Sequence, residues 1–73
     1  MREIKYEIKR HIGVLNERND GWRTELNEVA WNDAMPKFDI RNWSPDHTRM
    51  NRGVTLSADA LRALKELLDK EVI

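Results

Sequence analysis

The sequence predicts an α+β domain: four antiparallel strands in one curved sheet, then a single C-terminal helix. Three observations carry this. Apolar and polar residues alternate with a period of two along much of the chain as far as Leu56, the signature of half-buried strands. Clusters of Asn, Asp, Gly and Pro punctuate those runs and mark turns. From Ser57 the pattern changes to the 3.6-residue period of an amphipathic helix. Strands followed by a helix, rather than alternating with helices, give a meander with the helix on one face.

The elements follow in order. In the first strand Ile4, Tyr6, Ile8, Ile12 and Val14 share one parity. Glu3, Lys5, Glu7, Lys9 and His11 share the other, and Arg10 is the exception. Gly13 predicts a bend or bulge. Asn16 to Gly21 reads as a turn. The second strand spans about Trp22 to Trp31. There Trp22, Thr24 and Leu26 take one parity and Val29 and Trp31 the other, which predicts a bulge near Asn27 and Glu28. After Asn32–Pro36 comes the third strand, Lys37 to Trp43, with Phe38 and Ile40 inward and Lys37, Asp39, Arg41 and Trp43 outward. A polar loop runs from Ser44 to Arg52, and Gly53–Leu56 is a short fourth strand. Ser57 is the expected helix N-cap, with Asp59 placed favourably in the first turn.

The helix is predicted to reach about Val72. Its apolar residues, Ala60, Leu61, Ala63, Leu64, Leu67, Leu68 and Val72, cover about half the circumference, more than packing on one sheet requires; Glu71 interrupts them. The excess predicts a second copy of the chain against Leu61, Leu64, Leu67 and Leu68; the alternative is that neighbouring loops cover the rest.

The 73 residues make one domain, 1–73. A chain this short buries only about 60% of the surface its unfolded form exposes, a second reason to expect a homodimer. It has no cysteine, which excludes disulfides and thiolate metal sites. His11 and His47 are far apart in sequence, so no metal and no cofactor is expected. No apolar run approaches a membrane span, and Met1–Lys5 lacks the apolar stretch of a signal peptide. The expected location is cytoplasmic, at the nucleoid.

The 13 basic and 13 acidic residues balance, whereas nucleic-acid binding usually leaves a basic footprint. The distribution is mildly polar: Lys37, Arg41, Arg49 and Arg52 outnumber Asp39 and Asp46 between Pro36 and Leu56. Catalysis finds little support. There is no cysteine nucleophile, no Gly-rich phosphate loop and no recognisable Ser–His–carboxylate set. Asp39, flanked by Lys37 and Arg41, suits an internal ion pair better than a hard cation. Neither an enzyme nor a small-molecule substrate is expected.

The third strand carries the functional signal. Lys37, Arg41 and Trp43 put two cations and a large aromatic on one face. Bases stack on aromatic rings for about 1–3 kcal/mol each, and cations neutralise the phosphates between them. The alternative folds Trp43 under the following loop as core and pairs Arg41 with Asp39; pattern alone puts this slightly ahead, since most tryptophans are largely buried. Trp31 is read as a stacking platform, and Trp22, next to Arg23, as either platform or core. The loop with His47, Arg49, Met50 and Arg52 clamps a strand against the sheet, or is simply a solvated connection.

These motifs resemble a known family. Lys37-Phe38-Asp39-Ile40-Arg41-Asn42-Trp43, then Asp46-His47, Met50 and Arg52-Gly53-Val54-Thr55-Leu56-Ser57, look like the transcriptional positive cofactor four family, in particular its short stand-alone bacterial members. His11-Ile12-Gly13-Val14-Leu15, Gly21-Trp22 and Glu25-Leu26-Asn27 add to the likeness, which runs from about Tyr6 to Leu68. The resemblance implies the four-strand, one-helix fold, a dimer with helices at its interface, and sequence-tolerant binding of single-stranded or melted DNA. It implies binding roles for Trp31, Arg41, Trp43 and Arg52. The chain departs from the eukaryotic members in being neutral and in lacking their serine-rich tail. Asp33 and a proline stand where those members carry a lysine cluster. The expected partner is therefore single-stranded DNA, bound more by stacking than by charge; RNA, or a protein partner on the same fold, is the alternative.

Overall fold

The computed structural model describes residues 4–71. Four strands, β1 (Tyr6–Glu17), β2 (Arg23–Trp31), β3 (Lys37–Trp43) and β4 (Met50–Leu56), form one antiparallel sheet in the order β1-β2-β3-β4. Helix α1 (Ala58–Lys70) follows. This is the predicted architecture. β3 has the predicted bounds, and Ser57 caps α1 by accepting a hydrogen bond from the Ala60 amide at 3.1 Å. Val72 lies outside the described residues.

Three expectations need correction. The bulge predicted in β2 is absent: β2 pairs with β3 without interruption from Arg23↔Trp43 to Val29↔Lys37. The two parities of β2 instead supply two different faces, each with its own apolar residues. The irregularities lie in β1, whose register slips between Ile8 and Arg10, His11 and Gly13, and Val14 and Asn16. Second, Asn16 and Glu17 belong to β1 rather than to the turn. Third, β4 begins at Met50, with a slip opposite Arg41–Trp43.

The three slips explain the curvature. β1 spends 12 residues against nine in β2, and each extra residue bends the strand and increases its twist. Trp31 and Arg23 stand eight residues apart in β2 and pair with Tyr6 and Trp43 respectively. A flat strand would separate them by about 26 Å. Yet the Tyr6 and Trp43 rings lie 5.2 Å apart, centroid to centroid. The sheet therefore coils until one diagonal closes over the face that carries Glu25, Asn27, Val29, Asp39 and Trp43.

That coil decides where the core sits. Among the described residues the buried apolar ones are Val29, Ala30 and Trp43. Val29 and Trp43 lie in the concavity, on the face away from the helix side. Helix α1 rests against β3 and β4, and none of its residues is buried. An apolar groove lined by Leu15, Leu26, Ile40, Leu61, Leu64 and Leu68 runs between helix and sheet.

Two glycines are fixed by geometry. Gly21 takes φ 91° in the β1–β2 turn, a conformation side chains disfavour. A Cβ on Gly53 would come within 2.2 Å of the Arg41 Cβ and 2.3 Å of the Ile40 carbonyl oxygen, so only glycine lets β4 cross β3 there.

Candidate functional site

The concavity holds a polar cluster whose members satisfy one another. Burying a carboxylate is unfavourable unless it is hydrogen-bonded, and the two here are. Asp39 accepts a bidentate pair from Arg41, Nε to Oδ1 at 2.6 Å and Nη2 to Oδ2 at 2.8 Å, and a third bond from Thr55 Oγ1 at 2.9 Å. Glu25, 1% exposed, receives His47 Nε2–H at 2.9 and 3.0 Å and Asn27 Nδ2–H at 3.1 Å. A carboxylate only accepts, so Nε2 of His47 carries the proton. His11 Nδ1–H in turn donates to Asn27 Oδ1 at 2.7 Å. Burial pushes the Glu25 carboxyl upward, but hydrogen bonds from Asn27 and His47 and the charges of the two histidines outweigh it, leaving its pKa below the ordinary value of 4.5.

An aromatic layer closes this cluster. Tyr6 packs at 6.0 Å from Trp31 and 5.2 Å from Trp43, and His47 packs at 5.7 Å from Trp43, all tilted. The Tyr6 hydroxyl donates to the His47 carbonyl oxygen at 2.5 Å. His47 itself takes φ 60°, which folds the loop inward. Asp46 stabilises that loop by accepting from the Thr48 amide, the Thr48 hydroxyl and the Ser44 hydroxyl. Those hydrogen bonds hold its carboxyl down at about 2.

The predicted site residues divide. Trp43 lies on the predicted face, but it is wholly buried under Tyr6 and His47 rather than solvated. Loop closure over the concavity is the reason: Trp43 lies under the following loop and Arg41 pairs with Asp39, the arrangement that pattern alone puts slightly ahead. Trp31 is half-buried, with the Arg41 guanidinium 4.5 Å from its ring centroid. Arg41 is only 14% exposed and its fork is engaged by Asp39, so it serves first to hold Trp31 and Asp39 in place. The indole N–H groups of Trp31 and Trp43 are buried without a hydrogen-bond partner among the described residues.

Lys37, Arg49 and Arg52 are exposed, and Arg23 and Met50 are half-buried. Arg23 approaches Glu25 at 3.4 Å. Met50 Sδ lies 3.5 Å from Arg41 Nη1. Trp22 forms a separate cluster at the turn end of the sheet, flanked by the Arg18 and Arg49 guanidiniums at 5.9 and 5.8 Å, within cation–π range. Leu61 and Leu64 are half-buried, whereas Leu67 and Leu68 are 61% and 47% exposed. Sequence reasoning missed Glu25, Asn27 and Tyr6. The signal for the first two was a run of polar residues sharing parity with Val29 and Trp31; for Tyr6 nothing local announced contact across the diagonal.

Among the described residues no group of His, Asp and Glu is arranged to hold a metal ion, and no helix is long and apolar enough to cross a membrane. The arrangement places partly exposed aromatic rings beside cations, with Glu25 and Asp39 hydrogen-bonded internally.

Comparison with known proteins gives two findings. The family described as Transcriptional Coactivator p15 (PC4) matches residues 18–67. A protein of Treponema pallidum (strain Nichols), described as uncharacterized, is 42% identical over 67 residues, covering 92% of this chain and 79% of the relative.

Proposed function

The chain belongs to the transcriptional coactivator p15 (PC4) family, and from that premise we propose that it binds single-stranded DNA on the concave face of its sheet, as a homodimer joined through α1. The observation that carries the reading is Trp31, partly exposed and backed by the Arg41 guanidinium at 4.5 Å. A ring backed by a cation is a platform for a nucleobase. Lys37 and Arg52, both exposed, neutralise phosphates. The internal pairing of Glu25 and Asp39 matters equally, because free carboxylates on this face would repel the strand. The chain carries no net charge, so phosphate contacts are few and the salt dependence shallow. Transcription, replication and repair all expose such strands, and a cytoplasmic location suits each.

A second reading, a protein-interaction module on the same fold, is favoured by the burial of Trp43, which leaves fewer rings for bases. The deciding experiment is a titration with oligothymidine, followed by tryptophan fluorescence at low and moderate salt, with duplex of equal length as control. Quenching by the single strand alone, weakening modestly with salt, supports the first reading. No quenching and no retardation at low salt leaves the second.

A further inference from the structure

Tyr6 stands outside the segment matched by the family, residues 18–67, and yet occupies the centre of the aromatic layer. Its ring contacts both Trp31 and Trp43. Trp43 is fully covered, while Tyr6 and Trp31 each keep part of their surface exposed. The rings that a ligand meets first on this face are therefore Tyr6 and Trp31. The tyrosine is also fixed in orientation. Its hydroxyl is held by the His47 carbonyl oxygen, and the His47 ring is anchored to buried Glu25. A ring immobilised before binding loses little freedom when a base stacks on it.

We infer that Tyr6 is a nucleobase-stacking residue: with Trp31 it forms the exposed aromatic surface on which a single strand lies, and Trp43 is its buried support. The inference rests on the proposed single-strand binding and adds the N-terminal strand to that surface. The hollow beside Tyr6 is lined by Lys5 and Lys9 but also by Glu7 and Asp33, and Lys9 pairs with Glu7 at 3.1 Å. Charge there is mixed, so the contribution of this corner is stacking rather than phosphate neutralisation.

The test compares Tyr6→Phe, which keeps the ring, with Tyr6→Leu, which keeps apolar cover over Trp43 but has no stacking face. Both are titrated with oligothymidine after circular dichroism and thermal melts establish that they fold. In parallel, wild-type protein is irradiated with oligothymidine carrying one 5-iododeoxyuridine, and the crosslinked peptide is mapped by mass spectrometry. The inference predicts a Tyr6 crosslink, near wild-type affinity for Tyr6→Phe, and a loss of about 5- to 150-fold for Tyr6→Leu, the equivalent of one base–aromatic stack. Unchanged affinity of Tyr6→Leu, an equal loss in both variants, or crosslinks that never include Tyr6 would each overturn it. Failure of the wild type to bind oligothymidine at all would instead remove the underlying function.

Discussion

A tryptophan on a polar sheet face can be a platform or a plug, and Trp43 is a plug in the free chain. Its full burial under Tyr6 and His47 predicts that Trp43→Ala destabilises the fold by about 3–5 kcal/mol, the usual loss for a buried aromatic. In a small domain that is much of the total stability. Trp43→Phe should lose far less, since it keeps the ring contact and removes a buried N–H that has no partner. Urea unfolding followed by far-UV circular dichroism measures both; equal midpoints for wild type and Trp43→Ala would contradict the packing. The carboxylates add a pH dependence. Glu25 is held below its ordinary 4.5 and Asp46 lies at about 2 against an ordinary 3.8. A folded pKa below the unfolded one stabilises fully above the unfolded value and ceases to do so as pH falls through the folded value. Stability should therefore be flat in these groups above about pH 5 and decline below it. Glu25→Gln should be less stable than wild type at pH 7 by about 1–3 kcal/mol, the loss of charged hydrogen bonds in a buried site. The gap should narrow by pH 3; urea midpoints across that range test it.

At the scale of elements, curvature is the property that builds the site, and Gly53 is where β4 depends on it. Gly53→Ala would drive a Cβ into Arg41 and the Ile40 carbonyl. Because backbone must move, the substitution should destabilise by at least the 1–3 kcal/mol typical of overpacking, with amide exchange in β4 accelerated more than in β1. Uniform protection across the sheet would show that the crossing tolerates a methyl group. Legibility in the sequence follows the same lines. β3 was readable to the residue because Phe38 and Ile40 alternate strictly with charged neighbours, and α1 because Ser57 and its 3.6-residue period are local signals. β1 was readable as a strand, but of its slips only the bend near Gly13 had a local signal; the others at Lys9 and Leu15 have no glycine to mark them. Those slips bring Tyr6 to Trp43, so the site's outline, Trp31 and Arg41 on one face, was legible while its closure was not. The ion pair between Arg41 and Asp39 needed only their spacing of two in a strand. The Glu25–His47 bond joins residues 22 apart and depends on the coil.

The whole molecule is open where a domain of this size should be closed. The concavity is filled, but the opposite groove between α1 and the sheet is not, and Leu67 and Leu68 keep 61% and 47% of their surface in solvent. Fully burying a leucine yields about 1.5–3 kcal/mol, so covering the exposed parts of both adds about 1.5–3 kcal/mol per chain toward association. A second copy would supply the same apolar face, and two-fold symmetry would let the two helices cover each other. Leu68→Asp discriminates sharply between a lone chain and a pair. In a monomer the position is already half in water, and losing the apolar burial that remains costs about 1 kcal/mol. In a dimer the same change places two unpaired carboxylates in the interface. Sedimentation should therefore give twice the chain's mass for wild type and the single-chain mass for Leu68→Asp. The wild-type melting temperature should rise with protein concentration, as it must when folding and association are linked, and that of the variant should not. A monomeric wild type whose melting point ignores concentration, with Leu68→Asp less stable by only about 1 kcal/mol, would mean that the groove stays open and that each chain binds its strand alone.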